Sequence, residues 1–205
     1  APQVEGERKD ELKEVTVKFA GASVEEEEVD VPVKIPGLHP ADKDAEVEFV
    51  GDTSIYRAGK SFAELNLSQG LLDGVLAMKF TQPSKIQAQA LPVILSPGAP
   101  NLIAQAHHGS GKTAAFSLGM LCRVDPTKDF CQAICVCPVR ELARQVCDVV
   151  QKLGKFTNVK VALAIPGAER SRITAQIVVG CAGTLLAKLK AREIDARNVM
   201  MFVAD

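Results

Sequence analysis

Apolar positions change their rhythm near Phe62. Before it, "VEEEEVD" and the three-proline stretch "VPVKIPGLHPADKD" follow no sustained period. Residues 1–45 therefore read as an acidic extension that is flexible or ordered only by docking, with residues 46–60 as a lead-in. After it, Leu65, Leu71, Leu72, Val75 and Met78 recur near helical spacing, and Ser68 is placed as the N-cap of the second helical piece. "PSKIQAQALPVIL" predicts a further helix, started by Pro83. From Asn101 onward strand-like runs alternate with helical patterns: "NLIAQA", "QAICVCP", "VKVALAIP", "AQIVVGC" and "VMMFVAD" are the strands. "RELARQVCDVVQKLG" is the clearest helix, with Leu142, Val146, Val149 or Val150, and Leu153 on one face. Strand and helix in turn imply right-handed crossovers, and so an α/β fold whose parallel sheet is flanked by helices. No internal repeat is visible.

Composition narrows the class. A chain of 205 residues, 47% hydrophobic and 24% charged, can bury one substantial core with an appended tail. It contains no apolar run of about 18 residues of the kind that spans a membrane. Its N-terminus, "APQVEGERKDELKEV", has the charge but not the apolar centre of a signal peptide. The first residue is Ala1, as in a processed or partial chain. Cys122, Cys131, Cys135, Cys137, Cys147 and Cys181 form no CxxC pair, so they read as reduced core thiols of a cytosolic or nuclear protein. Charge is split along the chain. Residues 1–60 carry 8 Lys and Arg against 15 Asp and Glu, a net −7, and the remainder carries 16 against 10, a net +6. A basic body behind an acidic arm is compatible with a polyanionic partner, and equally with a solvated surface.

The candidate chemistry lies in "AQAHHGSGKTAAF", Ala104 to Phe116. Gly-Ser-Gly-Lys-Thr between an apolar strand and a helix is a phosphate-binding loop: backbone N–H groups and a helix N-terminus face the phosphates, and a lysine reaches the outer ones. Gly109 and Gly111 take the positions where a side chain would strike the ligand, Lys112 is the charge clamp, and Thr113 offers a hydroxyl to Mg²⁺. Ala106 departs from the strict pattern and is tolerable at negative φ. His107 and His108, with His39 as the third histidine of the chain, read as loop-surface residues and not as a metal site.

At these residues the chain resembles the DEAD-box RNA helicases. "AHHGSGKT" resembles their phosphate loop, which itself begins with alanine; Phe62, Phe80, Pro83, Ile86 and Gln87 are similar to their adenine-recognition element. "PVRELA", "VVGCAGTLL" and the terminal "FVAD" resemble their Pro-Thr-Arg-Glu-Leu-Ala, Thr-Pro-Gly and Asp-Glu-Ala-Asp elements. Over about residues 46–205, further stretches such as "EVEFVGDTSIYRAGKSFAEL" and Gly183-Thr184 are similar to the mRNA-export members of the family that act at the nuclear pore.

The resemblance implies the first RecA-like P-loop NTPase domain of an ATP-dependent RNA helicase, with a second similar domain beyond Asp205. It implies ATP and Mg²⁺ as cofactors. Phe80, Gln87, Ala106, His107, His108, Gly109, Ser110, Gly111, Lys112 and Thr113 would contact the nucleotide, and Thr113 and Asp205 would hold the metal. Lys112, Thr113 and Asp205 would be catalytic. Gln87 carries both a donor and an acceptor for the adenine edge, and Phe80 can stack on the base. Pro138, Arg140, Gly167, Gly183 and Thr184 would contact sugar and phosphate of single-stranded RNA without reading sequence. Nuclear-pore and export-factor proteins are the implied partners, and cytoplasm and nucleus, including the pore, the implied location. Val139 in place of Thr or Ser, and Cys181-Ala182 in place of Thr-Pro, depart from the family on the RNA side. They keep open a nucleotide- or RNA-binding scaffold that does not turn over; a P-loop kinase or other P-loop ATPase is the second alternative.

Overall fold

A computed structural model of the chain describes residues 61–166 and 171–205, together with the backbone of Glu14–Phe19 and Val47–Val50. In chain order the elements are β1 (Glu14–Phe19), β2 (Val47–Val50), a 3-10 turn (Phe62–Leu65), α1 (Gln69–Ala77), α2 (Lys85–Leu95), β3 (Asn101–Ala104) and α3 (Lys112–Arg123). They continue with β4 (Ala133–Cys137), α4 (Arg140–Leu153), β5 (Val161–Ala164), β6 (Ile177–Cys181), α5 (Ala182–Lys190) and β7 (Met201–Ala204). The five expected strands of the body are all present, and β5-β6-β4-β7 form one all-parallel sheet. β3 pairs in parallel with β1, which pairs antiparallel with β2. β1 falls in the stretch where no period was read. Its alternation is only six residues long, too short to stand out among the charges around it.

Helix boundaries follow local chemistry. α2 starts two residues later than expected, at Lys85, because Ser84 and not Pro83 governs its entry: Ser84 Oγ accepts from Gln87 N while Gln87 Oε1 accepts from Ser84 N, a reciprocal capping box. Ser68 is the N-cap of α1, without a side-chain hydrogen bond. α4 buries Ala143, Val146, Cys147, Val150 and Leu153. Val146, Val150 and Leu153 face inward as expected, but Ala143 and Cys147 join them in place of Leu142, because they are small enough to approach the sheet.

The main core joins α1, α3 and α4 to one face of β4 and β6; Ile134, Val178, Leu185 and Ile194 form a smaller core on the opposite face, beneath α5. Two fully buried glutamines anchor the connections. Gln132 binds both N–H and carbonyl of Asp125, and Gln176 accepts from Lys160 N while donating to Lys128 O. All six cysteines are free, four of them buried. No helix among the described residues is long and apolar enough to cross a membrane.

Strands β3 and β7 are not hydrogen-bonded to each other. A cleft of about 360 Å³ separates them, lined by Leu102 and Ala104 on one side and Met201, Val203 and Asp205 on the other. β3 packs on α2 and β7 on α3, and the packing of α2 against α3 joins the two.

Candidate functional site

The C-terminal ends of the parallel strands carry the chemistry, as open α/β sheets arrange it. The turn from β3 into α3 contains Gly109 at φ 81° and Gly111 at φ 96°, both left-handed, whereas Ala106 stays outside that region, as an alanine requires. A Cβ at Gly111 would strike Gln87 Nε2 and Ser84 Oγ as well. Lys112 opens α3 and folds back over the loop, donating to the carbonyls of Ala106 and, at 2.8 Å, His107. His107 Nδ1 donates to the His108 carbonyl at 2.8 Å. Ser110 Oγ is buried without a hydrogen-bond partner. A buried hydroxyl without a partner, two left-handed glycines and a lysine bonded to loop carbonyls fit an anion-binding loop.

Gln87 is 4% exposed and joins two elements: Oε1 accepts from Ser84 N at 3.0 Å, and Nε2 donates to Gly111 O at 3.2 Å. One lone pair on Oε1 and one hydrogen on Nε2 remain for a base edge. Ser84 is the residue that sequence reasoning missed. The signal for it was present, since Ser-Lys-Ile-Gln ahead of an apolar run is a capping-box pattern. Phe80 is partly buried against the core, while Phe62 and Ile86 are core residues at 5% and 2% exposure.

Asp205 closes β7, its N–H bonded to Val136 O at 3.0 Å. Burial raises its carboxyl above the ordinary value, and the Lys112 charge opposes that. The converse holds for Lys112: burial lowers its ammonium, and Asp205 opposes. The two charges thus offset each other in a partly buried site. Thr113 stands in the first turn of α3, beside Lys112. Together these groups fit a metal–phosphate pair better than either ion alone. Among the described residues no group of three or more His, Cys, Asp or Glu side chains could hold a metal by itself.

A second locus adjoins it. Cys137 and Cys181 are Cα partners at the ends of β4 and β6, so the N-termini of α4 and α5 lie side by side. Their N-caps, Val139 and Cys181, make no side-chain cap hydrogen bond. First-turn N–H groups are therefore available at both ends. Pro138, Arg140 and Gly183 are exposed there, with Thr184 half-buried. A Cβ at Gly183 would meet nothing within 4 Å, so the fold itself does not require glycine at that place. Gly167 lies outside the described residues.

The sequence of residues 84–205 matches the DEAD/DEAH box helicase family. Among curated relatives, an ATP-dependent RNA helicase DBP5 from Candida glabrata is 51% identical over 148 residues, 71% of this chain and 29% of that protein. Its Kluyveromyces lactis counterpart is 42% identical over 199 residues, 96% of this chain and 40% of that protein. The chain thus spans well under half the length of these relatives. Among solved structures, Saccharomyces cerevisiae Dbp5 bound to RNA and ADP BeF3 superposes with a TM-score of 0.70 at 48% identity, covering 72% of this chain and 38% of that one. A DEAD box protein from the hyperthermophile Methanococcus jannaschii gives 0.67 at 34% identity, covering 72% of this chain and 41% of that one. With a parallel RecA-like sheet, a phosphate loop at its edge and a family match over more than half its length, the chain belongs to the DEAD/DEAH box helicases.

Proposed function

We propose that the chain is the first RecA-like domain of an ATP-dependent RNA helicase of mRNA export, comprising residues 61–205 behind an extension (1–45) and a lead-in (46–60). The observation that carries the reading is the continuity from Ser84 through Gln87 to Gly111. A residue suited to read a base is hydrogen-bonded to the loop suited to hold phosphates.

In this reading Gln87 spends its remaining donor and acceptor on the adenine edge, and Phe80 stacks on the ring. Lys112 exchanges the carbonyls of Ala106 and His107 for phosphate oxygens, and Ser110 and the loop N–H groups, from His107 to Gly111, complete the cradle. Thr113 and Asp205 hold Mg²⁺, which would neutralise charge on the outer phosphates. Pro138, Arg140, Gly167, Gly183 and Thr184 hold the RNA backbone at the paired N-termini of α4 and α5, a mode that binds without reading sequence. Nucleotide and RNA would bind cooperatively across this domain and a second one, bending RNA and opening short duplexes. Relatives solved with Gle1, with Nup159 and with RNA support export-factor and nuclear-pore partners, and a location in cytoplasm and nucleus that includes the pore.

The test is a titration of the 205-residue chain with a fluorescent ATP analogue and Mg²⁺. Binding is expected, with little turnover, and Lys112→Ala should abolish it while leaving the circular dichroism unchanged. Unaltered binding by Lys112→Ala sinks the reading, and robust RNA-stimulated turnover by the chain alone removes the need for a second domain. The uncapped Val139 and Cys181 favour one rival, a binding scaffold that does not hydrolyse ATP. ATP turnover by the longer protein, lost in Lys112→Ala, excludes it.

A further inference from the structure

Two thiols stand next to each other directly behind the paired helix N-termini. Cys137 ends β4, Cys181 ends β6, and the parallel register makes them Cα partners. Their side chains share one face of the sheet. Ala133, Cys135 and Cys137 alternate into the main core, as do Ile177, Val179 and Cys181, while Ile134 and Val178 point to the other side. Neighbouring strands run about 4.7–4.9 Å apart. That lies inside the Cα separation of about 4.4–6.8 Å at which a disulfide closes.

Cys135 is the chief competitor, because its thiol lies beside that of Cys137. Cys135 sits two residues from Cys137 on the same extended strand, about 6.6 Å away at a rise of about 3.3 Å per residue, near the limit of that window. Cys135, Cys137 and Cys147 are 0%, 1% and 3% exposed, whereas Cys181 is partly exposed and its side chain makes no cap hydrogen bond. Cys181 is thus the member of the group that a small oxidant meets first, and Cys137 is the neighbour on its own sheet face best placed to trap the product. The neighbouring Cys135 thiol holds the Cys137 thiol below its ordinary value, with burial acting the other way.

The geometry points to a modification site that the helicase reading does not use: we propose that peroxide drives a disulfide between Cys181 and Cys137. The Cys181 sulfur attacks one oxygen of hydrogen peroxide, the O–O bond breaks, and sulfenic acid and one water result. The Cys137 sulfur then attacks the Cys181 sulfur. The S–O bond breaks, and the hydroxide leaves with the Cys137 proton as a second water. Two thiols are oxidised and one peroxide is reduced to two waters. The bond ties β4 to β6 and fixes the spacing between the N-termini of α4 and α5, and a thiol reductant reverses it. Its formation does not depend on what those N-termini bind.

The experiment treats the reduced 205-residue chain with hydrogen peroxide, alkylates the remaining thiols, digests without reduction and maps cross-links by mass spectrometry. The expected product is a peptide pair joining Cys137 to Cys181, lighter than the reduced pair by two hydrogens and separated by dithiothreitol. Under the same dose Cys181→Ser should leave Cys137 alkylatable. Sulfenic or sulfinic acid at Cys181 with no cross-link overturns the proposal, and so does a bond from Cys137 to Cys135 or to Cys147. The mapping on the unsubstituted chain decides the matter even if the variant folds poorly.

Discussion

Gln87 performs two jobs with one amide, and substitution can separate them. Its oxygen caps α2 through Ser84 N and its nitrogen ties the phosphate loop through Gly111 O. Gln87→Glu keeps an acceptor for the cap and loses the donor to the loop, whereas Gln87→Ala loses both. We expect the alanine variant to be about 1 kcal/mol less stable in urea denaturation. Both variants should lose about tenfold in preference for ATP over GTP in competition titrations, the worth of roughly one good hydrogen bond. A glutamate variant with full base discrimination would remove Gln87 from base reading. The loop was legible at this scale because glycine and lysine spacing states its own geometry. Ser84 was passed over because the adjacent proline offered a competing reason for the helix to start. A titrating residue gives a further prediction. Asp195 accepts from Arg197 Nε at 2.9 Å and from Nη2 at 2.6 Å, and Arg172 lies 3.7 Å away. The Arg197 side chain, then its backbone N–H, hold the carboxyl below its ordinary 3.8. A depressed acid contributes stability above its unfolded pKa and loses it as pH falls through the folded one. Asp195→Asn should therefore lower the thermal midpoint at pH 7, and the difference should close as pH drops below 3.8. A gap that persists unchanged into strong acid would mean that the carboxylate charge is not involved.

Three glycines show how elements meet and how differently one residue type can be used. Gly70 and Gly74 lie one helical turn apart on α1 and let its backbone rest on the end of α4: a Cβ at Gly74 would overlap the Leu153 carbonyl, and one at Gly70 the Phe156 carbonyl. Gly74→Ala should therefore destabilise the fold by about 1–3 kcal/mol in denaturant titrations, with nucleotide affinity intact under native conditions. Gly183, in the first turn of α5, behaves in the opposite way. Nothing in the protein occupies the space of its Cβ, so Gly183→Ala should leave stability unchanged or raise it by up to about 1 kcal/mol. If RNA phosphate lies on that N-terminus, the same methyl should weaken RNA binding. A variant that is more stable and binds RNA equally well would detach Gly183 from the RNA surface. The sequence showed α1 through its apolar spacing, but not Gly70 and Gly74 as contacts, because a glycine's role depends on what approaches it. In α4 the same limit affected one position of the stripe: Leu142 outranks Ala143 in hydrophobicity, while space against the sheet favoured Ala143.

At the scale of the whole molecule, the strand–helix alternation revealed the parallel sheet, because each buried strand reads as an apolar run between helical patterns. The way β3 is set against β7 could not be read that way. Those strands do not pair; β3 rests on α2, β7 rests on α3, and the two helices pack on each other. Charge is the other property that belongs to the whole chain, since the −7 of residues 1–60 precedes a body of +6. If the body binds an RNA backbone, the acidic arm competes with it for the same counter-charge, a competition that salt should screen. Replacing Glu25, Glu26, Glu27 and Glu28 with glutamine removes four charges while leaving the β1 sequence untouched. The substituted chain should bind a single-stranded RNA severalfold more tightly at low salt, the two curves converging as ionic strength rises. Arg140→Ala should act oppositely, lowering affinity and flattening the slope of log K against log salt by about 0.7 for one lost phosphate contact on a single strand. Identical RNA affinities for the glutamine variant and the unsubstituted chain at every salt concentration would show that the acidic arm is a solubilising tail and not a restraint.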